Sequence, residues 1–198
     1  MSELHVPSVP IRVVTATSLF DGHDAAINIM RRILQAQGAE VIHLGHNRSV
    51  DEVVAAVVDE DADAVAVSSY QGGHLEYFSY LVDRLADEGY GHVKVFGGGG
   101  GVIVADEIAA LAERGVRIFS PEDGQRMGLA AMVNTILREA DPPTDRVLDV
   151  DAVLAGSRPA LARALTVLGN GEPLPERVAQ AAAAARVPVL GVTGTGGS

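Results

Sequence analysis

The sequence predicts an α/β domain built on a parallel sheet of five strands. Five short apolar runs rich in β-branched residues alternate with segments whose apolar residues recur at helical spacing. The apolar runs are continuous rather than alternating, which is typical of strands buried on both faces of a parallel sheet. Together these patterns predict a flavodoxin-like (Rossmann-type) doubly wound sheet with strand order 2-1-3-4-5.

Each element follows from its own stretch of sequence. The predicted strands cover, in chain order, residues 11–18 (IRVVTATS), 40–45 (EVIHLG), 63–69 (DAVAVSS), 92–97 (HVKVFG) and 116–120 (VRIFS). Apolar residues at positions i, i+3, i+4 and i+7 predict helices over the regions 27–34, 50–58 and 75–85, followed by two more near 104–114 and 123–139. This alternation gives five β-α units.

The pattern changes after the last predicted helix. Pro142 and Pro143 end that helix, because proline cannot continue it. We therefore expect a leader at 1–10, the α/β domain at 11–141 and an Ala- and Leu-rich helical linker at 142–186. Residues 187–198 (VPVLGVTGTGGS) read as a new apolar strand entering a glycine-rich loop, which predicts the truncated start of a second domain.

Composition excludes several classes of partner. The net charge of −11 would repel a phosphate backbone and argues against nucleic acid and anionic membranes. The sequence contains no cysteine, so it can form neither a disulfide framework nor a thiolate zinc site, which fits a reducing compartment. It also shows no secretory signal pattern and no membrane-spanning apolar run, so we expect a cytoplasmic protein.

Polar and glycine residues follow strands that should end at one edge of the sheet. His23, flanked by two acids, follows the first strand, and Ser68 and Tyr70 follow the third. In a 2-1-3-4-5 sheet the order reverses between these two strands, so their loops line a crevice that can admit a ligand. Five glycines at 97–101 follow the fourth strand, and Ser120-Pro121 follows the fifth. Glycines allow close approach of the backbone to a bulky ligand.

These residues resemble the sequence motifs of a known protein family. Asp21-x-His23, Ser68-x-Tyr70 and Gly100-Gly101 resemble the DxHxxG, SxL and GG signature of the cobalamin-binding domain of adenosylcobalamin-dependent mutases and methionine synthase. More narrowly, DGHDAAINIMRRIL, HLGHNRS, SSYQGGH, FGGGGGVI and SPEDGQRMGL are similar to the amino-terminal domain of the fused isobutyryl-CoA mutase family. The resemblance covers residues 11 to about 140 densely.

The resemblance implies a cobalamin site. His23 would replace the benzimidazole base beneath cobalt, and Asp21 would accept the other imidazole N–H. The displaced nucleotide tail would enter the crevice, where Ser68 would hydrogen-bond it and glycines would leave room. The implied cofactor-binding residues are Asp21, Gly22, His23, Asp24, Ile27, Gly45, Ser68, Tyr70, Gly73, Gly98, Gly99, Gly100, Gly101, Ser120 and Pro121.

The resemblance also implies an activity. The chain would be the cofactor-binding part of an isomerase that interconverts isobutyryl-CoA and n-butyryl-CoA with adenosylcobalamin, and it would be catalytically inactive alone. Its partners would be the remaining mutase domains and a G-protein chaperone domain, with a possible homodimer in the full-length enzyme. GVTGTGG would begin a P-loop, but the lysine that holds phosphates is missing, so GTP and Mg²⁺ binding would belong to the downstream domain.

Some positions leave alternatives open. Ala26 and Tyr70 stand where the broader family has glycine and leucine, which leaves the shape of the tail pocket undecided. A stand-alone corrinoid carrier or a cobalamin-responsive regulatory module is a second interpretation. A receiver or FMN domain is disfavoured, because Ser68 and Pro121 occupy the ends where a receiver needs an acceptor aspartate and a lysine.

Other polar residues have simpler interpretations. His43 and His46 are expected in a loop near the corrin rim, and His74 either begins a helix or contacts the ligand. The acidic stretch 59–63 (DEDAD) is expected to be a solvated helix end.

Overall fold

The computed structural model describes residues 5–7, 9–141, 147–188 and 190–191. The chain divides into two compact units, Met1–Val147 and Leu148–Ser198. Residues 142–146 and 192–198 lie outside the described residues, so the predicted helix stop at Pro142-Pro143 and most of the predicted P-loop start do too. In the described part of the chain, no helix is long and apolar enough to cross a membrane.

The first unit contains the predicted sheet. Its five parallel strands are β1 (Arg12–Ser18), β2 (Glu40–Arg48), β3 (Ala64–Ser68), β4 (Lys94–Gly98) and β5 (Val116–Phe119). They lie in the order β2-β1-β3-β4-β5, which confirms the predicted topology and its reversal between β1 and β3.

Five helices join and follow the strands. They are α1 (Ala25–Ala36), α2 (Val50–Glu60), α3 (His74–Asp87), α4 (Ala105–Glu113) and α5 (Pro121–Ala140). A capping box begins α2, where the Ser49 side chain and Glu52 each bond the other's backbone N–H. Helix α5 is interrupted at Gly128, whose φ of 74° and ψ of 162° are not helical.

Apolar side chains are buried on both faces of the sheet. One cluster joins Val53 and Val57 of α2 to Phe78 and Leu81 of α3, and it includes residues of β1, β3, β4 and β5. On the other face, α1 and α5 contribute Ile27, Leu34, Val133, Ile136 and Leu137. Full burial of one such side chain is worth about 1.5–3 kcal/mol, so the helical spacing read from the sequence corresponds to the packing that holds the sheet.

Strand β2 is longer than the sequence predicted, and this corrects the expected loop. The strand continues to Arg48, so His46 as well as His43 lies within it. Its pairing with β1 is irregular, because Thr15 faces His43 while the next residue of β1 faces Gly45, which has a φ of +83°. A bulge of this kind lets a strand bend and continue, and apolar periodicity does not report it.

The acidic stretch 59–63 is not simply a solvated helix end, as the sequence suggested. Asp61 is 5% exposed and Asp63 is 8% exposed. Asp61 ends α2 in the left-handed conformation, and the Asp63 carboxylate accepts the backbone N–H of Arg12 at 2.8 Å. Asp63 therefore bonds the segment after α2 to β1, and both acids are buried instead of facing water.

The second unit is helical. It contains α6 (Val150–Leu154), α7 (Arg158–Gly169) and α8 (Glu176–Ala184). Val153, Ala164 and Val178, one from each helix, form its small buried cluster.

Candidate functional site

The carboxyl ends of three strands border a cavity of about 400 Å³. Its walls come from one face of α1, the strands β3, β4 and β5 toward their carboxyl ends, and α5 from Pro121 to Ile136. The residues that line it are mostly apolar or glycine: Ala26, Ile27, Ile29, Met30, Leu34, Ala66, Val67, Ser68, Tyr70, Phe96, Gly97, Gly98, Gly99, Gly100, Phe119, Ser120, Pro121, Gly124, Leu129, Met132 and Ile136. Such a cavity suits a flat apolar group with few polar atoms.

The loop between β1 and α1 holds His23 by a carboxylate. The Asp21 Oδ1 atom accepts the backbone N–H of His23 at 2.9 Å and lies 2.8 Å from its Nδ1. Because a carboxylate only accepts, Nδ1 carries a hydrogen, and in the neutral imidazole the lone pair is then on Nε2. The His23 side chain is 77% exposed, and among the described residues none bonds Nε2. His23 therefore exposes an Nε2 atom that has no hydrogen-bond partner among the described residues.

The Asp21 carboxylate also ties two loops together. Its side chain is fully buried, and its Oδ2 accepts the backbone N–H of Tyr70 in the loop after β3. Burial raises the pKa of Asp21, but the backbone N–H groups of Tyr70 and His23 and the imidazole outweigh it, so the pKa is lowered below its ordinary value. Asp21 is therefore an anion that fixes His23 relative to Tyr70.

Tyr70 lies between His23 and the cavity. Its ring centroid is 5.7 Å from that of His23, and Tyr70 also lines the cavity wall. The exposed nitrogen of His23 and the apolar cavity are thus neighbouring parts of one site.

Ser68 places an unpartnered hydroxyl in the cavity wall. The residue is 6% exposed, and among the described residues its buried Oγ has no hydrogen-bond partner. Leaving a buried hydroxyl unpaired costs about 1–3 kcal/mol, so such groups are normally satisfied. A ligand with one acceptor or donor at this depth would satisfy Ser68. Thr17, its neighbour in the β1–β3 register, has a similar unpartnered hydroxyl but does not line the cavity.

The glycine run 97–101 serves the protein's own packing as well as the cavity. A Cβ on Gly99 would lie 1.9 Å from the backbone oxygen of Ser69, and one on Gly97 would lie 2.5 Å from Phe78 and Ile118. Gly100 has a φ of +57°, and its Cβ would meet the Tyr70 ring at 3.0 Å. Close approach was expected from the sequence, but toward a ligand, and the structure shows that the protein's own atoms already require it.

The start of α5 completes the wall. Ser120 caps the helix by accepting the Asp123 backbone N–H at 3.2 Å, and Asp123 accepts the Ser120 N–H in return. The backbone N–H of Ser120, and then its side chain, lower the pKa of the Asp123 carboxyl. With Pro121 at the first helical position, this fixes where the wall begins.

Eight of the predicted site residues lie in the cavity wall and seven lie outside it. Those in the wall are Ile27, Ser68, Tyr70, Gly98, Gly99, Gly100, Ser120 and Pro121, and those outside are Asp21, Gly22, His23, Asp24, Gly45, Gly73 and Gly101. Gly22 and Asp24 flank His23, Gly45 is in the β2 bulge, Gly73 precedes α3, and Gly101 lies in an exposed turn.

His74 has a structural environment. It is 3% exposed, its Nδ1 is 3.1 Å from the Gln71 carbonyl oxygen, and its Nε2 is 2.9 Å from a carboxylate oxygen of Glu107. The residue therefore joins the loop after β3 to α4, and both of its nitrogens are engaged within the protein.

The sequence did not identify the apolar walls. Met30 and Leu34 of α1, with Phe96, Phe119, Met132 and Ile136, line the cavity but read as ordinary core residues. Their spacing could have shown that α1 and α5 face one another. It could not show that a space remains between them.

Comparisons with known proteins identify related sequences. The B12 binding domain family matches residues 11–125. A fused isobutyryl-CoA mutase of Nocardia farcinica is 64% identical over 201 residues, covering 100% of this chain and 19% of that protein. The 2-hydroxyisobutanoyl-CoA mutase small subunit of Aquincola tertiaricarbonis is 36% identical over 108 residues, 54% of this chain and 78% of that subunit.

A solved structure shows the same fold. A cobalamin-binding protein from Desulfitobacterium hafniense superposes with a TM-score of 0.55 and 30% identity, over 66% of this chain and 59% of that one. This chain spans about a fifth of the length of the fused mutases that it matches.

Proposed function

Because this chain belongs to the B12 binding domain family, we propose that it binds cobalamin base-off, with His23 as the lower ligand of cobalt. The observation that carries the proposal is the bare Nε2 of His23, fixed through Nδ1 by the buried Asp21 carboxylate at 2.8 Å. Imidazole is a good ligand for a transition metal, and a carboxylate on its other nitrogen fixes the tautomer and raises the basicity.

The cavity supports a place for the displaced nucleotide tail. A benzimidazole is a flat and largely apolar group, which suits walls made of Met30, Phe96 and Phe119. Once removed from cobalt, its ring nitrogen needs a new hydrogen-bond donor, and the unpartnered Oγ of Ser68 can donate. The residues present therefore fit both the metal side and the tail side of the cofactor.

The activity that we propose is that of an acyl-CoA mutase which interconverts isobutyryl-CoA and n-butyryl-CoA. It is supported by 64% identity to a fused isobutyryl-CoA mutase across the whole of this chain. When bound, adenosylcobalamin supplies the cobalt–carbon bond whose homolysis starts radical rearrangement. This chain's own residues would hold that cofactor: His23 would bind the metal, and Ser68 with the apolar walls would bind the nucleotide tail.

The other partners follow from the same similarity. We propose that the remaining mutase domains supply the substrate site, that a G-protein chaperone domain binds GTP and Mg²⁺, and that the full-length enzyme forms a homodimer. The absence of cysteine supports a cytoplasmic setting.

A corrinoid carrier or a cobalamin-responsive regulatory module is the second candidate. It is favoured by the 30% identity to a solved protein described only as cobalamin-binding. Adding a mutase catalytic domain in trans separates the two candidates, since only a mutase component would complement it for isobutyryl-CoA isomerisation.

The test of ligation is paramagnetic resonance of cob(II)alamin bound to protein labelled with ¹⁵N. We expect superhyperfine splitting from a protein nitrogen, and we expect its loss in His23→Ala. His46→Ala is the matched control, because His46 is another exposed histidine near the same edge and should leave the splitting intact. Splitting that is absent at the start, or that survives His23→Ala, would show that His23 is not the ligand.

A further inference from the structure

Phe20 is an aromatic residue in an unusual position. Its side chain is 84% exposed, and its φ of 64° lies in the left-handed region. A bulky residue rarely adopts this conformation, because its Cβ crowds the neighbouring carbonyl oxygen, and glycine would adopt it at lower cost. The Phe20 side chain therefore contributes little to stability through burial, and its backbone conformation destabilises the folded state.

The surrounding bonds fix this conformation. The backbone N–H of Phe20 donates to the Asn47 side-chain oxygen at 2.8 Å. Asn47 is itself left-handed, with a φ of 57°, and its N–H donates to the Asp21 carbonyl oxygen at 3.2 Å. Asn47, near the end of β2, thus holds the loop of Phe20 and Asp21 in place, and strained residues of this kind cluster at functional sites.

The same bonds connect Phe20 to the candidate metal ligand. Asp21 follows Phe20 directly, and its carboxylate fixes the His23 imidazole and the Tyr70 backbone. His23 is 77% exposed, so a broad planar ring centred on an atom bound to its Nε2 would extend over the surrounding loop. Phe20 is a large, exposed apolar residue of that loop.

We propose that Phe20 is a cofactor-binding residue that packs against the corrin ring beside His23. This inference rests on the proposed function, since it requires a planar ring at His23. Packing on the ring would bury the aromatic side chain, and this gain is available only in the bound state. The strain at Phe20 then serves to present an aromatic surface to the ligand.

The test is Phe20→Gly, measured for thermal unfolding of the free protein and for cobalamin affinity. Because glycine tolerates positive φ, the midpoint of unfolding should stay the same or rise. Cobalamin affinity should fall roughly tenfold, since one aromatic contact is lost. Phe20→Tyr keeps the ring and the strain, so it should bind like the unmutated protein.

A double variant distinguishes contact with the corrin ring from contact with the nucleotide tail. In the double variant with Ser68→Ala the two losses of affinity should multiply, because Phe20 would contact the ring while Ser68 would contact the tail. In Phe20→Gly the nitrogen splitting from His23 should persist.

Three results would overturn the inference. Unchanged cobalamin affinity in Phe20→Gly would show that Phe20 does not contact the corrin ring and has another role, such as contact with a partner domain. A lowered unfolding midpoint that accompanies weaker binding would make its role structural. If the unmutated protein fails to bind cobalamin, both this inference and the proposed function fail, whereas the first two results leave the proposed function intact.

Discussion

The carboxylate of Asp21 lies 2.8 Å from Nδ1 of His23 and also accepts the backbone N–H of Tyr70. One buried anion therefore sets the tautomer of an exposed imidazole and joins the loops after β1 and β3. The two donors to the Asp21 carboxylate lie 2 and 49 positions after it in the sequence. The orientation of His23 thus depends on the packing of β1 against β3.

Asp21→Asn should destabilise the fold at neutral pH. The amide nitrogen would face either the Tyr70 or the His23 N–H, so two donors would oppose each other, at a cost of about 1–3 kcal/mol in the free energy of unfolding. Urea unfolding of both proteins at pH 7 measures this difference. An equal free energy of unfolding would mean that the carboxylate is not needed to join the loops.

The difference should also depend on pH. The pKa of Asp21 is lowered in the folded state, so its stabilising contribution is present above the ordinary carboxyl pKa and is lost as pH falls through the folded pKa. Since the asparagine variant has no such proton to bind, the two unfolding free energies should converge in acid, below about pH 4. A gap that stays constant down to pH 2 would contradict the lowered pKa.

Ser68→Ala should separate binding from stability. Removing an unpartnered buried hydroxyl should leave the unfolding free energy unchanged or slightly higher, while cobalamin affinity should fall by about 1 kcal/mol, or roughly fivefold. Thr17→Val is the matched control, because it removes a similar unpartnered hydroxyl that does not line the cavity. An equal loss of cobalamin affinity in both variants would show that Ser68 does not bind the nucleotide tail.

Gly99→Ala and Gly101→Ala should differ although they lie two residues apart. The Gly99 Cβ would lie 1.9 Å from the Ser69 backbone oxygen, so the loop must shift, and overpacking of this kind typically costs about 1–3 kcal/mol or more. The Gly101 Cβ meets nothing within 4 Å, so its substitution should change stability by less than about 0.5 kcal/mol. Thermal unfolding measures both, and similar midpoints would show that the glycine run is not closely packed.

His74→Leu should weaken the joint between the loop after β3 and α4. It leaves the Gln71 carbonyl and the Glu107 carboxylate without the imidazole, so the midpoint of thermal unfolding should fall. The pKa of Glu107 is lowered by the Val104 N–H and then by His74, so it should rise in the variant. Carboxyl ¹³C titration measures that change. His46→Leu should leave the titration unaltered, and an unchanged Glu107 in His74→Leu would contradict the contact.

The apolar pattern alone was enough to predict the sheet. Continuous β-branched runs and helical spacing predicted all five strands, the helices between them and the order 2-1-3-4-5, which the structure confirms. From that order it follows that residues after β1 and β3 meet at one edge, which is why His23, Ser68 and Tyr70 could be grouped without coordinates.

The pattern failed where a residue's environment comes from distant parts of the chain. His43 and His46 were expected in a loop, but His43 pairs with β1 and a bulge with Gly45 at positive φ lets β2 continue through His46. Asp61 and Asp63 were expected in water, but the Arg12 backbone and a left-handed helix end bury them. Spacing along the chain contains no information about either contact.

The sequence by itself determined which elements form and which loops share an edge, because apolar spacing sets the face that each element buries and chain order limits the topology. Only the tertiary structure decided the state of individual atoms at that edge. The unpartnered Oγ of Ser68, the close approach of Gly99 to Ser69 and the left-handed Phe20 all depend on β2, β1, β3 and β4 lying side by side. Hydrogen bonding and steric contact act over a few ångströms in space, so these properties exist only once residues distant in sequence have been brought together.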